Sequence, residues 1–402
     1  METALKHLII FDLDGVITNE EAYWDCAGLT LHELLYSPRY WGLSGDTLYQ
    51  PVTSAAGSRR LSRMVFPEEH ILSLKARALN SNWDTCYAMA FLYLVTLLAC
   101  LPQRASLLPF QPWDPDWLAA LRAQIGVSHV AQNWDLSRLH RTWSQHHPCD
   151  LPVFEGATGL ELLNRGDAYA SDVLGMHVEG SFSRHGRFWL FCQDLLQEWL
   201  LGEQLYLQVY GRQPAQAGKP GCLFFEEPLL SPECVRETLA KLVQRGYTLG
   251  VASGRVWREA EPALRNYGFL PYFSAEHVCT HDLVERAEAG LRRRGDQTLL
   301  SKPHPFPFMA AVDRTYALAL ECGKENPSWE KNPFIAIGDS TSDILAARAA
   351  GALTVAVLTG ARTAEARRLL EQSRPDFTLS DMTGLPALLE QIESQAMDLG
   401  DA

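Results

Sequence analysis

Several features of secreted, membrane-spanning or nucleic-acid-binding proteins are missing from this sequence of 402 residues. Its nine cysteines are odd in number and form no C-x-x-C pair, which argues against both a disulfide framework and a zinc knuckle. Basic residues are in the minority, 35 against 48 acidic ones, and the net charge is −13. A general nucleic-acid binder carries a basic face, so we expect no nucleic-acid partner.

Long apolar segments are also lacking. The longest run, about residues 87–101, is too short to span a bilayer comfortably and is typical of a buried helix. The N-terminal residues show no signal-peptide core. With 47% apolar and 21% charged residues, the composition is that of a soluble globular protein. We therefore expect a cytoplasmic protein with no membrane partner.

The two ends of the chain share one pattern. Residues 7–12 form a continuous apolar run that ends at an acid, which predicts a buried parallel strand. From about residue 231 helices and strands alternate, and further strands are predicted at 247–252, 334–337, 353–357 and 376–379. This alternation predicts an α/β fold with a Rossmann-like, doubly wound parallel sheet.

The middle of the chain follows a different pattern. Apolar residues recur at helical spacing in segments 73–101, 116–125, 155–164 and 188–206, and nine of the eleven tryptophans lie between residues 20 and 215. This region therefore needs a core of its own. The sequence predicts a core domain over 1–20 and 216–402, interrupted by a large, mainly α-helical domain over 21–215 that returns through the hinge 211–221.

The strongest local signal is the pair Asp12 and Asp14. Both follow the predicted first strand, and Gly15 then allows a sharp turn. Because parallel sheets place ligand sites at the carboxyl ends of their strands, this pair can hold a divalent cation. It can also divide the roles of nucleophile and general acid/base.

Three further elements follow in order. Ser253 and Gly254 close the second predicted strand and offer a hydroxyl and exposed amides suited to phosphate oxygens. Lys302 lies in a rigid Ser-Lys-Pro-His-Pro turn before a helix. Asp339 and Asp343 place two carboxylates at a strand end and in the first turn of the next helix, with Ser340 available as a cap.

Together these residues resemble the haloacid dehalogenase-like (HAD) superfamily in its phosphatase branch. The resemblance covers about residues 1–20 and 225–395, and its motifs are D-x-D-G-V from Asp12, the strand-end Ser253, K-P-x-P from Lys302 and G-D-S-x-x-D from Gly338. It implies that the insertion is a cap domain of the type that follows the first motif, although this one is several-fold larger than is common.

The resemblance also implies a role for each matched position. Asp12 would be the nucleophile and Asp14 the general acid/base. Ser253, Gly254 and Lys302 would bind the phosphoryl group. The acids of both motifs would form the Mg²⁺ site, namely Asp12, Asp14, Asp339 and Asp343. The implied reaction is Mg²⁺-dependent hydrolysis of a small-molecule phosphomonoester through an aspartyl-phosphate.

Two other functions are compatible with the motifs. A phosphotransferase of the β-phosphoglucomutase kind is one, because residues 11–18 resemble that enzyme's first motif, although Gly338 stands where those mutases usually carry an acid. A non-catalytic binding protein with the same fold is the other, although neither Asp12 nor Asp14 is lost. Haloacid dehalogenation needs no proton donor at the position of Asp14.

Arginines near these motifs are open to two interpretations. In the insertion, Arg59, Arg60 and Arg63 lie at helical spacing, and they either bind a second anionic group or form a solvated helix face. Beside Ser253, Arg255 either contacts phosphate or points to solvent.

Overall fold

The structure is a computed structural model. It describes residues 8–43, 52, 54–76, 79, 81–145, 160–323, 329 and 333–400. The chain divides into two compact units. We call them the core unit, Met1–Glu20 with Glu226–Ala402, and the inserted unit, Glu21–Phe225.

The core unit is built on a parallel sheet with the strand order β3-β2-β1-β4-β5-β6. The strands are β1 (Leu8–Phe11), β2 (Thr248–Ala252), β3 (Phe273–Cys279), β4 (Ile335–Gly338), β5 (Leu353–Val357) and β6 (Phe377–Leu379). Phe11 in β1 pairs with Val251 on one side and Ile337 on the other. The first strand of the chain therefore lies in the middle of the sheet.

Burial on both faces explains why β1 has no polar alternation. Ile9 and Phe11 belong to one hydrophobic cluster of the core unit, whereas Leu8 and Ile10 belong to another. Successive side chains of a strand point to opposite faces, so these two clusters lie on the two sides of the sheet. The helices of the core unit are Pro232–Gln244, Trp257–Asn266, His281–Arg292, Phe306–Val312, Arg314–Glu321, Thr341–Ala350, Ala364–Gln372 and Leu385–Gly400.

The sequence analysis predicted five of the six strands and missed β3. This strand lies at the edge of the sheet, and its side chains are exposed or half-buried up to Cys279. It contains Ser274, Glu276 and His277 and therefore presents no continuous apolar run. Because the edge of a sheet is less covered than its middle, β3 is only partly buried and lacks the continuous apolar run typical of a central strand.

The inserted unit is mainly helical. Its α-helices within the described residues are Glu21–Tyr36, Ala55–Val65, Glu68–Ala76, Asn82–Ala99, Pro115–Ser128, Val130–Asn133, Leu136–Gln145, Leu160–Asn164, Gly166–Leu174 and Arg187–Tyr210. One hydrophobic cluster runs through them, with Trp24, Trp41 and Trp199 almost wholly buried. The unit thus has the separate core that its tryptophans predict.

The segment 73–101, predicted as mainly helical, lies in two helices of the structure, Glu68–Ala76 and Asn82–Ala99. The second begins after Ser81, whose hydroxyl accepts a hydrogen bond from the backbone of Asp84. Of the predicted helix 155–164, residues 155–159 lie outside the described residues. Within the described part of the chain, no helix is both long and apolar enough to cross a membrane.

A buried ionic group joins the beginning and end of the inserted unit. The ammonium of Lys219 lies 2.7 Å from Glu33 Oε2 and 2.5 Å from Glu198 Oε2, and all three side chains are at most 3% exposed. The indole of Trp199 donates to Glu33 (2.7 Å), and the backbone of Ala215 donates to Glu198 (2.7 Å). We call this set the Lys219 cluster.

Candidate active site

Three adjacent strands bring the predicted residues to one edge of the sheet. Asp12 directly follows β1, and its backbone N–H donates to Ile337 O of β4 (2.9 Å). Ser253 follows β2, and Asp339 follows β4. Because β2, β1 and β4 are parallel neighbours, their carboxyl ends meet at the same edge, where α/β sheets place ligand sites.

Three carboxylates form a group that fits a metal ion. Asp12, Asp339 and Asp343 each offer an oxygen atom, and these atoms lie within 4.8 Å of one another. Asp343 is fixed at the start of its helix, where its Oδ2 accepts from the backbone and hydroxyl of Ser340 (3.2 and 2.5 Å). An all-carboxylate set of hard oxygen donors suits Mg²⁺ and does not suit a soft metal.

The side chain of Asp339 reaches this group between two glycines. A Cβ atom on either Gly15 or Gly360 would overlap the Asp339 carboxylate. Gly15 also has a φ of +76°, which side-chain-bearing residues rarely adopt. The hydroxyl of Thr359 donates to Gly15 O and ties the loop after β5 to the turn after β1.

Lys302 brings a cation into contact with two carboxylates of the group. Its Nζ lies 2.8 Å from Asp12 Oδ1 and 2.6 Å from Asp343 Oδ1, and its side chain is 12% exposed. The helix Phe306–Val312 follows directly, and Nζ lies 5.1 Å from the ring centre of Phe308. The lysine is thus held between a rigid turn and an aromatic face.

Burial and charge determine how these groups ionise. Burial raises the pKa of Asp12 to about 7; Lys302 opposes this rise, and Asp343 and Asp14 add to it. Burial also acts to raise the pKa of Asp343, but Lys302 and Ser340 outweigh it and the pKa is lowered. For Lys302 burial acts to lower the pKa, and the two carboxylates outweigh it and raise the pKa.

Asp14 lies apart from this group. Thr18 donates to its Oδ1 (3.2 Å), and Arg255 donates to it through Nε (2.9 and 3.1 Å) and Nη2 (2.5 Å). Of the four predicted metal ligands, the structure therefore brings three carboxylates together and gives the fourth an arginine partner.

Arg255 does not point to solvent. It is 3% exposed and binds Asp14 and Glu226, the latter through Nη1 to Oε2 (2.9 Å) and Nη2 to Oε1 (3.1 Å). Burial raises the pKa of Glu226, and Arg255 opposes that rise. The sequence analysis missed Glu226, and its only signal for Arg255 was the position two residues after Ser253.

The predicted phosphate-binding pair differs in exposure. Ser253 is 2% exposed, and its Oγ accepts from the backbone N–H of Arg255 (3.1 Å), which leaves the hydroxyl hydrogen available to donate. Gly254 is exposed, with no atom within 4 Å of where a Cβ would lie. Lys302 is the third predicted phosphate ligand, and it joins the carboxylate group.

Known proteins match this arrangement in sequence and in fold. The profile of the HAD-hydrolase-like family matches residues 299–385, which include Lys302, Asp339 and Asp343. A crystal structure of a Northeast Structural Genomics Consortium target is similar over 96% of this chain and 98% of its own, with a TM-score of 0.74 and 25% identity. The resemblance to the haloacid dehalogenase-like superfamily that the motifs predict is thereby confirmed.

Curated relatives of this chain are named as phosphatases. Phosphoglycolate phosphatase of Pectobacterium atrosepticum is 29% identical over 155 residues, which are 39% of this chain and 53% of the relative. Pyrophosphatase PpaX of Bacillus pumilus is 28% identical over 157 residues, which are 39% of this chain and 58% of the relative. The chain thus spans just over half the length of the curated relatives it matches.

The basic residues of the inserted unit have partners of their own. Arg59 lies 3.2 Å from Glu21 and 3.5 Å from Asp25, and Arg63 lies 3.4 Å from Asp25. Burial raises the pKa of Asp25 to about 6 although both arginines oppose it. Arg60 is exposed. Two of the three arginines are therefore neutralised within the unit.

Proposed function

We propose that this HAD chain is a Mg²⁺-dependent phosphatase that hydrolyses a small phosphomonoester through an aspartyl-phosphate on Asp12. The observation that carries the proposal is the convergence of three carboxylates and Lys302 at the carboxyl end of β1. A phosphate ester repels a carboxylate nucleophile, so Asp12 needs cationic charge directly beside it. Lys302 supplies one positive charge. The group formed by Asp12, Asp339 and Asp343 fits a metal ion, which would supply the other.

Asp12, Asp339 and Asp343 would hold Mg²⁺, which offsets the negative charge of phosphate and nucleophile when bound. The carboxylate of Asp14 is bound by Arg255 and is assigned to proton transfer. Ser253, Gly254 and Lys302 would receive the phosphoryl oxygens, since they offer a hydroxyl, an open backbone amide and an ammonium.

The reaction proceeds in two steps on these residues. Asp12 Oδ attacks phosphorus in line, the P–O bond to the leaving group breaks, and Asp14 gives a proton to the departing oxygen. Asp14 then takes a proton from water, whose oxygen attacks the phosphorus of the aspartyl-phosphate, and the P–O bond to Asp12 breaks. The products are the alcohol and inorganic phosphate, and Asp12 is regenerated.

A specific contact favours hydrolysis over phosphoglucomutase-like transfer. The position before Asp339 is Gly338, and a Cβ atom there would overlap the side chain of Asp343. The acid that the mutases usually carry at this position is therefore incompatible with the observed arrangement. The cap function of residues 21–215 and the cytoplasmic location remain sequence-based predictions.

The test is a screen of phosphomonoesters with Mg²⁺, run beside Asp12→Asn as a blank. Asp12→Asn is expected to reduce turnover by several orders of magnitude while the circular dichroism spectrum stays unchanged. If the variant retained more than about a tenth of wild-type turnover on the best substrate, Asp12 would not be the nucleophile.

A further inference from the structure

Arg255 contacts three separate parts of the core unit through one guanidinium group. It donates to both oxygens of Asp14, to both oxygens of Glu226 and to the carbonyl of Asn19 (3.0 Å). The side chains of Arg255 and Glu226 are 2% and 3% exposed. This is more than a surface ion pair, because the guanidinium is buried and its donors are engaged from several directions.

Two of these partners lie where the chain leaves and re-enters the core unit. Asn19 is one residue before the end of the first core segment, and Glu226 is the first residue of the second. The returning segment is fixed again by Tyr267, whose hydroxyl donates to Glu226 O (2.6 Å). We call these two places, at Asn19 and at Glu226, the chain crossings. Arg255 therefore connects both chain crossings to Asp14.

The geometry of this contact requires arginine. A planar guanidinium can bind two carboxylates in fork fashion and still donate to a carbonyl, whereas the point charge of lysine cannot keep all of these contacts. Glu226 is buried, so loss of the guanidinium would leave it without its counter-charge. The two carboxylates and the carbonyl thus share a single side chain as a donor.

We propose that Arg255 is the positioning residue for Asp14 and that, through Glu226 and Asn19, it makes the position of this carboxyl group depend on the two chain crossings. The inference rests on the proposed function in which Asp14 transfers a proton to the leaving oxygen. A proton donor must lie within hydrogen-bond reach of its acceptor. A small displacement of a reacting group is enough to reduce the rate strongly.

The first test compares two leaving groups. p-Nitrophenolate leaves without a proton, whereas the alkoxide of benzyl phosphate needs one. Arg255→Met is expected to lower kcat/KM for benzyl phosphate by about 100-fold and for p-nitrophenyl phosphate by less than about fivefold. Glu226→Gln keeps the size of its side chain and is expected to show the same selectivity in weaker form. Arg258→Met, an exposed arginine on the next helix, is the matched control.

The second test needs no activity. Hydrogen exchange of peptides covering residues 13–20 and 222–230 is expected to be at least about tenfold faster in both Arg255→Met and Glu226→Gln than in Arg258→Met. Faster exchange only in residues 253–257 would overturn the link to the crossings, and an equal loss of kcat/KM for both esters would overturn the positioning role. Failure of the wild type to hydrolyse these two and every other ester of the screen would refute the proposed function, while the exchange rates still decide the link.

Discussion

The carboxylate of Asp339 occupies the space that a Cβ atom on Gly360 would need. Gly360 follows β5, twenty-one residues after Asp339, and it has no chemistry of its own to contribute. Its value to the site is the absence of a side chain. The loop after β5 therefore comes close enough for Thr359 to donate to Gly15 O. The Asp339 carboxylate lies between Gly15 and Gly360.

Gly360→Ala is expected to weaken Mg²⁺ binding by about 10- to 100-fold, the usual cost of displacing a group that supports a metal ligand. Titration calorimetry with Mg²⁺ measures this directly, without any substrate. The control is Gly126→Ala, because no atom lies within 4 Å of a Cβ there. Unchanged Mg²⁺ affinity in Gly360→Ala would show that Asp339 either is no ligand or has room to move.

Removal of the metal is expected to abolish activity. EDTA should abolish turnover and Mg²⁺ should restore it, because Asp12 and the phosphate are both anionic and Lys302 is shared between two carboxylates. Ca²⁺ is expected to inhibit, since its larger and looser coordination misplaces the nucleophile. Full activity in thoroughly metal-free buffer would contradict the proposed metal requirement.

Excision of the inserted unit is expected to leave a folded core. All proposed catalytic residues belong to the core unit. Asn19 O and Glu226 Oε1 lie 3.0 and 3.1 Å from the same nitrogen of Arg255, so the two cut ends are close together. A short Gly/Ser linker can therefore replace residues 21–225. The product should hydrolyse p-nitrophenyl phosphate slowly and lose its preference among natural esters. If a folded core kept the full-length ranking of substrates, specificity would reside in the loops after Ser253 and Asp343.

The Lys219 cluster is expected to be important for the stability of the inserted unit. Lys219→Met leaves two carboxylates in the interior with no cation, and breaking a buried ion pair in this way costs about 3–5 kcal/mol. Urea denaturation measures the loss. The control, Lys241→Met on an exposed helix position, should stay within about 0.5 kcal/mol of the wild type. An equal effect of both variants would show that the cluster contributes nothing particular.

Acid is expected to destabilise the inserted unit through His140. Burial lowers the pKa of this imidazole from 6.5 to about 4, so the unfolded chain binds the proton first. The contribution is fully present above pH 6.5 and is lost as the pH falls towards 4. Thermal midpoints between pH 7.5 and 4.5 should therefore fall less steeply in His140→Gln. His177→Gln, at a side chain 83% exposed, should follow the wild type, and identical slopes for all three proteins would refute the assignment.

The motif residues could be predicted because each follows a local pattern. Asp12 and Asp339 come directly after apolar strands, and the order of parallel strands then brings them together. The contacts of Arg255 could not be predicted, because its partners Asp14 and Glu226 lie 241 and 29 residues away in the sequence. Gly360 gave no signal either, since its role depends on the side chain of Asp339 and on no pattern around the glycine itself.

The central place of β1 has a consequence during synthesis. Its partner Val251 lies about 240 residues further along the chain than Phe11, and Ile337 later still. At about 5–20 residues per second, a ribosome needs roughly 12 to 50 s to produce the first partner strand. Throughout that interval the apolar segment Leu8–Phe11 has no sheet to join, whereas the last residue of the inserted unit's core, Leu223, is made before Val251. The order of synthesis therefore lets the inserted unit fold first, and Asp12 takes its place at the end of β1 only after the partner strands have been made.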